Sequence, residues 1–186
     1  KNCFYIPGKQ VYTIKDGLGV EGDWSNAAFF MTGAAIGQTQ ITYTNLNEAS
    51  LQGDKAVVDI LKNMGTNIER CEDAYTVSGS KMTAVDIHAK AIPDLVPILA
   101  LAASVSEGVT IISGAERLRI KESDRLKTVY ETLSTLGADI EEKEDGLIIR
   151  GKAKLKGGVV SSHNDHRIAM MSAIASLVCE EDVIIL

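Results

Sequence analysis

The sequence predicts an α/β fold made of a repeated strand-helix-strand-helix-strand-strand unit, on three observations. Asp23, Asp94 and Asp165 stand 71 residues apart, and each heads an apolar helical stretch. A short β-branched run follows each stretch: Gln40-Ile-Thr-Tyr, Val109-Thr-Ile-Ile and Val183-Ile-Ile-Leu. Met64-Gly-Thr-Asn-Ile68 returns at an offset of 72 as Leu136-Gly-Ala-Asp-Ile140, and both close a second helix and open a strand pair that ends at Gly79 or Gly151. Self-similarity at a fixed period marks units that bury their apolar faces against one another. Strands alternating with helices imply parallel pairing through right-handed crossovers.

The elements follow in order. Gln10-Val-Tyr-Thr-Ile14 alternates like a strand. Gly17-Leu-Gly-Val-Glu-Gly22 then satisfies G-x-G-x-x-G before a helix, but Glu21 and Asp23 set carboxylates where a pyrophosphate would lie, which disfavours nucleotide binding. Helices are expected over 24–36, 95–106 and 166–179, and the apolar content of the last two marks them as core helices. His88 alternates with apolar Val85 and Ile87 in a strand and reads as a surface position. Ser123, Leu126, Val129, Tyr130, Leu133 and Leu136 set a helical period, so the segment just before them forms a loop and a first helical turn. In this frame the units run over 10–79, 80–151 and an incomplete 152–186, all in one domain. A start at Lys1 and an end in a strand-like run are what a piece of a longer polypeptide would have.

Charge marks the functional candidates. Residues 117–125 read Arg-Leu-Arg-Ile-Lys-Glu-Ser-Asp-Arg, four cations in nine residues of a chain with a formal net charge of −6. A helix start is already electropositive, and Arg125 there opposes the macrodipole by about 0.3–1 kcal/mol, which points to a bound anion. Asn164-Asp165-His166-Arg167 repeats the device at another helix start. Two such arginines could clamp one phosphate or carboxylate, or each could pair with a neighbouring Asp. Asp94, after Pro93 and before an apolar helix, suits a helix N-cap as well as a general base. Lys121 and Glu122 suit either an exposed charge pair or a site. His163 and His166 lack a third ligand at metal-site spacing.

Composition narrows the classes. No stretch of 18 apolar residues exists, so no membrane span is indicated. The acidic balance and low aromatic content disfavour nucleic acid. Cys3, Cys71 and Cys179 are too few and too scattered for a disulfide framework or thiolate metal site, which fits a reducing cytoplasm.

Leu118-Arg-Ile-Lys-Glu-Ser-Asp-Arg125, Asn164-Asp-His-Arg-Ile-Ala-Met170, Ile92-Pro-Asp94 and Val20-Glu-Gly-Asp-Trp-Ser-Asn-Ala-Ala-Phe29 resemble, in order, signature segments of the EPSP synthase (3-phosphoshikimate 1-carboxyvinyltransferase) family. Asn26 stands where that family commonly has Ser, and Arg117 where some members have Asn. The resemblance implies three units around a pseudo-threefold axis, helices inside and sheets outside, forming one lobe of an inside-out α/β barrel whose second lobe lies elsewhere in the polypeptide. It implies transfer of the carboxyvinyl group of phosphoenolpyruvate to the 5-hydroxyl of shikimate 3-phosphate, with no metal or organic cofactor. Asp94 and Glu122 would be catalytic, with Asp94, Lys121, Arg125 and Arg167 binding substrate and Asp124 and Asp165 orienting the arginines. Which of Asp94, Glu122 and a lysine protonates the methylene carbon stays open. A further lysine of the family would fall beyond Leu186, in the missing part of the third unit. The competing readings are the related UDP-N-acetylglucosamine enolpyruvyl transferase, which lacks the Arg-Ile-Lys-Glu-Ser-Asp-Arg pattern, and a noncatalytic anion-binding lobe.

Overall fold

The computed structural model describes residues 3–14, 16–72 and 74–186. Five α-helices form in it: α1 (Trp24–Ile36), α2 (Val57–Asn63), α3 (Val96–Ser104), α4 (Arg125–Thr135) and α5 (His166–Ala175). The strands are β1 (Gln40–Thr44), β2 (Asn67–Cys71), β3 (Ala74–Ser78), β4 (Ile87–His88), β5 (Val109–Ser113), β6 (Asp139–Glu142), β7 (Leu147–Arg150), β8 (Gly158–Val160) and β9 (Val183–Ile185). Short 3₁₀ turns at Gly53–Ala56, Pro93–Leu95 and Glu116–Ile120 lead into α2, α3 and α4.

Three helices form the centre. α1, α3 and α5 pack on one another, and every residue of α3 is buried. A helix apolar on all sides has no solvent face to keep, so it becomes a core helix. The small residues Ala100, Ala102, Ala103, Ala34 and Ala35 are all buried and let the helices approach closely. α4 is amphipathic instead, with Leu126, Val129 and Leu133 buried and Lys127 and Glu131 paired on its outer face.

The sheets cover this helical core. One has the order β1-β3-β2, all antiparallel; the next has β4-β5-β7-β6, with β4 parallel to β5; the third pairs β8 with β9 in parallel. The hairpins leave their sheets through glycines that pass against the chain just beyond the ends of α1 and α3. A Cβ on Gly151 would lie 1.6 Å from the Ser106 carbonyl oxygen, and one on Gly79 would lie 2.3 Å from the Gln38 Cα. No side chain fits at either position.

One expected strand is not formed. Residues 10–14 carry no strand, and Val11, Tyr12 and Ile14 are exposed. The repeat explains why. Ile87 pairs with Ile112 and Gly158 with Val183, so the same register would set Asp16 opposite Ile41. The residues available there are Asp16, Gly17 and Leu18, of which Asp16 and Gly17 form a turn, where the other units have Ile-His-Ala and Gly-Val-Val. Asp and Gly are poor strand formers, and alternation upstream finds no ladder to join. β1 therefore keeps one side unpaired among the described residues. The other strands and helices expected from the sequence form, although the two later core helices end sooner, at Ser104 and Ala175.

Candidate active site

The N-terminal ends of α1, α3, α4 and α5 carry the charged candidates, and three of these helices are capped by an aspartate. Asp23 accepts from the Ser25 N–H at 2.9 Å, Asp124 from Lys127 at 3.2 Å and Asp165 from Arg167 at 2.9 Å. Each satisfies a donor that the first helical turn leaves free. Asp94 differs. It lies inside the 3₁₀ turn before α3, and its carboxylate caps no backbone N–H there. It turns instead to side chains: Arg125 Nη1 donates to Oδ1 at 2.8 Å, Lys121 Nζ lies 3.1 Å from the same oxygen, and Arg167 Nη2 lies 3.7 Å from Oδ2. The capping alternative for Asp94 is thereby removed.

Arg125 is the hub of the cluster. Its side chain is 1% exposed, and it donates to Asp165 Oδ2 from Nε at 2.8 Å, to Asp165 Oδ1 from Nη2 at 3.2 Å, to Asp94, and to Glu122. The Asp165 side chain is 0% exposed and also accepts from Ser123 Oγ at 3.0 Å. Of the two alternatives for this arginine, pairing with aspartate is the one present here, although the partner is Asp165, 40 residues away, and not its neighbour Asp124. Asp124 pairs with Arg119, so it does not orient Arg125 as the sequence led us to expect.

Arg119 is consumed as well. It donates to Asp124, to Glu142 at 2.5 Å and to the backbone carbonyls of Lys143 and Glu144, which ties the 117–124 loop to the β6–β7 hairpin. Lys121 and Glu122 do not pair with each other: Lys121 faces Asp94, and Glu122, 51% exposed, faces Arg125. The Arg167 side chain is only 12% exposed, and among the described residues its guanidinium forms an ion pair with Asp94 alone. Arg117 and His166 are exposed, and His88 is an exposed β4 residue beside Ser113. Among the described residues, no group of three His, Cys, Asp or Glu side chains could hold a metal ion.

These charges set the acid–base state. Burial pushes the Asp94 carboxyl up, but the hydrogen bond and charge of Lys121 and the charges of Arg167 and Arg125 outweigh it and hold the group below the ordinary carboxylate value. Burial likewise raises Asp165, and its bonds from Arg125 and the Arg167 N–H overcome that and lower it. Both are ionised at neutral pH. A cavity of about 360 Å³ lies at the opposite ends of the helices, between Ile36, Val105 and Val178, and shares no residue with the cluster.

Two of these groups were not picked out from the sequence, Arg119 as a clamp and Ser123 as a donor to Asp165, and neither was Asp54, whose buried carboxylate accepts from Ser25 Oγ at the head of α1. A signal existed for Asp54. It stands three, four and seven residues before Val57, Val58 and Leu61, on the apolar stripe of α2 and its leading turn, and it is buried with them.

Apolar helices inside, sheets outside and a carboxylate ringed by cations at the helix heads agree with the enolpyruvyl transferase lobe that the sequence resemblance implied. The solved EPSP synthase from Acinetobacter baumannii superposes with a TM-score of 0.81 at 33% identity, over 89% of this chain and 42% of that one. The family model for EPSP synthase (3-phosphoshikimate 1-carboxyvinyltransferase) matches residues 1–186, and the chain belongs to that family. It is 54% identical over 182 residues to the 3-phosphoshikimate 1-carboxyvinyltransferase of Clostridium novyi (strain NT), and 49% identical over 183 residues to that of Clostridioides difficile (strain 630). In both cases the match covers 98% of this chain and 41% of the relative, so the chain spans under half the length of these relatives. No helix among the described residues is long and apolar enough to cross a membrane.

Proposed function

We propose that this chain is one lobe of a 3-phosphoshikimate 1-carboxyvinyltransferase, an enzyme that acts in the shikimate pathway of aromatic amino-acid biosynthesis. It would move the carboxyvinyl group of phosphoenolpyruvate to the 5-hydroxyl of shikimate 3-phosphate and release phosphate, in a cleft closed by a second lobe of the same polypeptide. The observation that carries this reading is Asp94: a carboxylate that caps nothing and is shared by Lys121, Arg125 and Arg167. As it stands, three cations make it a weak base. Substrate phosphate and carboxylate groups that engage Lys121 and Arg167 would withdraw that positive charge from Asp94 and raise its proton affinity, so anion binding would prepare it to take the hydroxyl proton.

In this reading Lys121 and Arg167 make the direct anion contacts. Arg125 joins them when Asp94 and Glu122 release part of its guanidinium, and Glu122, the most exposed of the carboxylates, shares the proton transfers. Membership of the family supports the substrate pair. The test is turnover by the two-lobed polypeptide with phosphoenolpyruvate and either shikimate 3-phosphate or UDP-N-acetylglucosamine. Turnover with shikimate 3-phosphate alone is expected; turnover with the sugar nucleotide would overturn the assignment.

A further inference from the structure

Two buried polar groups beside the cluster are unexplained by the pairs above. Arg167 Nη1 is buried and has no hydrogen-bond partner among the described residues. Asp54, in the 3₁₀ turn before α2, is only 8% exposed, and the hydrogen bond its side chain makes comes from Ser25 Oγ, at 2.5 Å. A buried donor without an acceptor is costly, and so is a buried carboxylate with most of its lone pairs unused. The two are of opposite charge, and no hydrogen bond or ion pair joins them in this state among the described residues. Burial pushes the Asp54 carboxyl up, and the Arg167 charge is among the influences that pull it back, so the two lie within electrostatic reach. The elements that carry them converge: α1, with Ser25, packs on the turn of Asp54, on α5 and on the turn of Asp94.

We propose that Asp54, held by Ser25, is a positioning residue for Arg167, the fixed counter-charge that keeps this guanidinium at the head of α5 when Asp94 turns to its substrate. The inference rests on the active-site reading above. Asp94 is divided among Lys121, Arg125 and Arg167, and once protonated it balances none of them. A second carboxylate, shielded from solvent and outside the reaction, lets Arg167 hold its place through that change. Without it the planar fork loses the orientation that bidentate recognition of phosphate or carboxylate needs.

The sign of one affinity change tests this. Asp54→Asn removes a negative charge close to an anion site while keeping the shape, so charge alone predicts tighter anion binding, whereas positioning predicts weaker. Titrating this chain with phosphoenolpyruvate and following amide shifts near Lys121 and Arg167 should show binding weakened about tenfold in Asp54→Asn, the loss expected when a guanidinium contact to the anion is misoriented. The melting temperature should fall little or rise, since burial already disfavours the charged form of Asp54. Ser25→Ala, which keeps the charge, should weaken binding in the same direction and less. Unchanged or tighter binding in Asp54→Asn would overturn the proposal, as would a lowered melting temperature with unaltered affinity. Arg167→Gln separates the two possible failures. If it leaves the wild-type affinity intact, the active-site reading itself falls; if it weakens binding while the Asp54 and Ser25 variants do not, only the role of Asp54 falls.

Discussion

Replacing Arg125 by Met would leave Asp165 charged in a pocket with no cation. Of the three carboxylates that Arg125 serves, Asp165 is 0% exposed, Asp94 30% and Glu122 51%, so the cost comes almost wholly from Asp165. Breaking a buried pair on one side costs about 3–5 kcal/mol, while the exposed Glu122 pair contributes about 0–1 kcal/mol. Asp165 keeps its bonds from Ser123 Oγ and the Arg167 N–H, which favours the lower end, about 3 kcal/mol. For a domain of this size that is a fall of roughly 6–12 °C in melting temperature. Urea unfolding of Arg125→Met at pH 7 measures it directly. A pH series sharpens the test, because the stranded Asp165 would have a folded-state pKa above its unfolded value. Its penalty is then absent below the unfolded value and grows as pH rises, so the gap to wild type should narrow on acidification. Adding Asp165→Asn should restore most of the loss. A change below about 1 kcal/mol at pH 7, or a gap that does not depend on pH, would refute the account of Arg125 as a buried hub.

Three further outcomes are expected. Asp94→Asn in the two-lobed polypeptide should lower kcat by about 10²–10⁴ with little change in melting temperature, since the group caps no helix; a loss confined to stability would return it to a structural role. Asp94 and Asp165 have depressed folded-state pKa values, so their stabilisation is present above the unfolded value near about 3.9 and is lost as pH falls through the folded values. Equal urea midpoints at pH 6 and pH 3 would contradict this. Gly151→Ala should cost about 1–3 kcal/mol or more because its Cβ meets the Ser106 carbonyl, whereas Gly19→Ala, with nothing within 4 Å, should be neutral in the same denaturation assay.

Much of the fold could be read from residue pattern, and the reasons are local. α1 and α5 were legible because each combines an aspartate cap with an apolar run, both visible within a few residues. The β2–β3 and β6–β7 hairpins were legible from their matching glycine-flanked strands. Residues 10–14 misled because alternation signals only a willingness to pair, and the register opposite β1 falls instead on Asp16, Gly17 and Leu18. The site was legible as a set of cations but not as a set of partners. Glu142, which binds Arg119, lies 23 residues downstream, and Asp165, which binds Arg125, lies 40 residues downstream. No local pattern reports such distances. The functional motif therefore located the cluster, while only the packed helix heads reveal which of its charges are spent on one another and which face outward.

The unpaired side of β1 bears on how the molecule behaves at high concentration. On the side away from β3, the five residues Gln40–Thr44 present peptide donors and acceptors with no ladder beside them among the described residues, next to an exposed Ile41 and without a charge or proline among them. Natural proteins blunt such rims with lysine, proline or a bulge. Two molecules meeting here could zip their three-stranded sheets into a continuous six-stranded one across a twofold axis. Light scattering should then grow with protein concentration, and a single Thr42→Lys change, which places a charge on the rim and leaves the interior untouched, should suppress it.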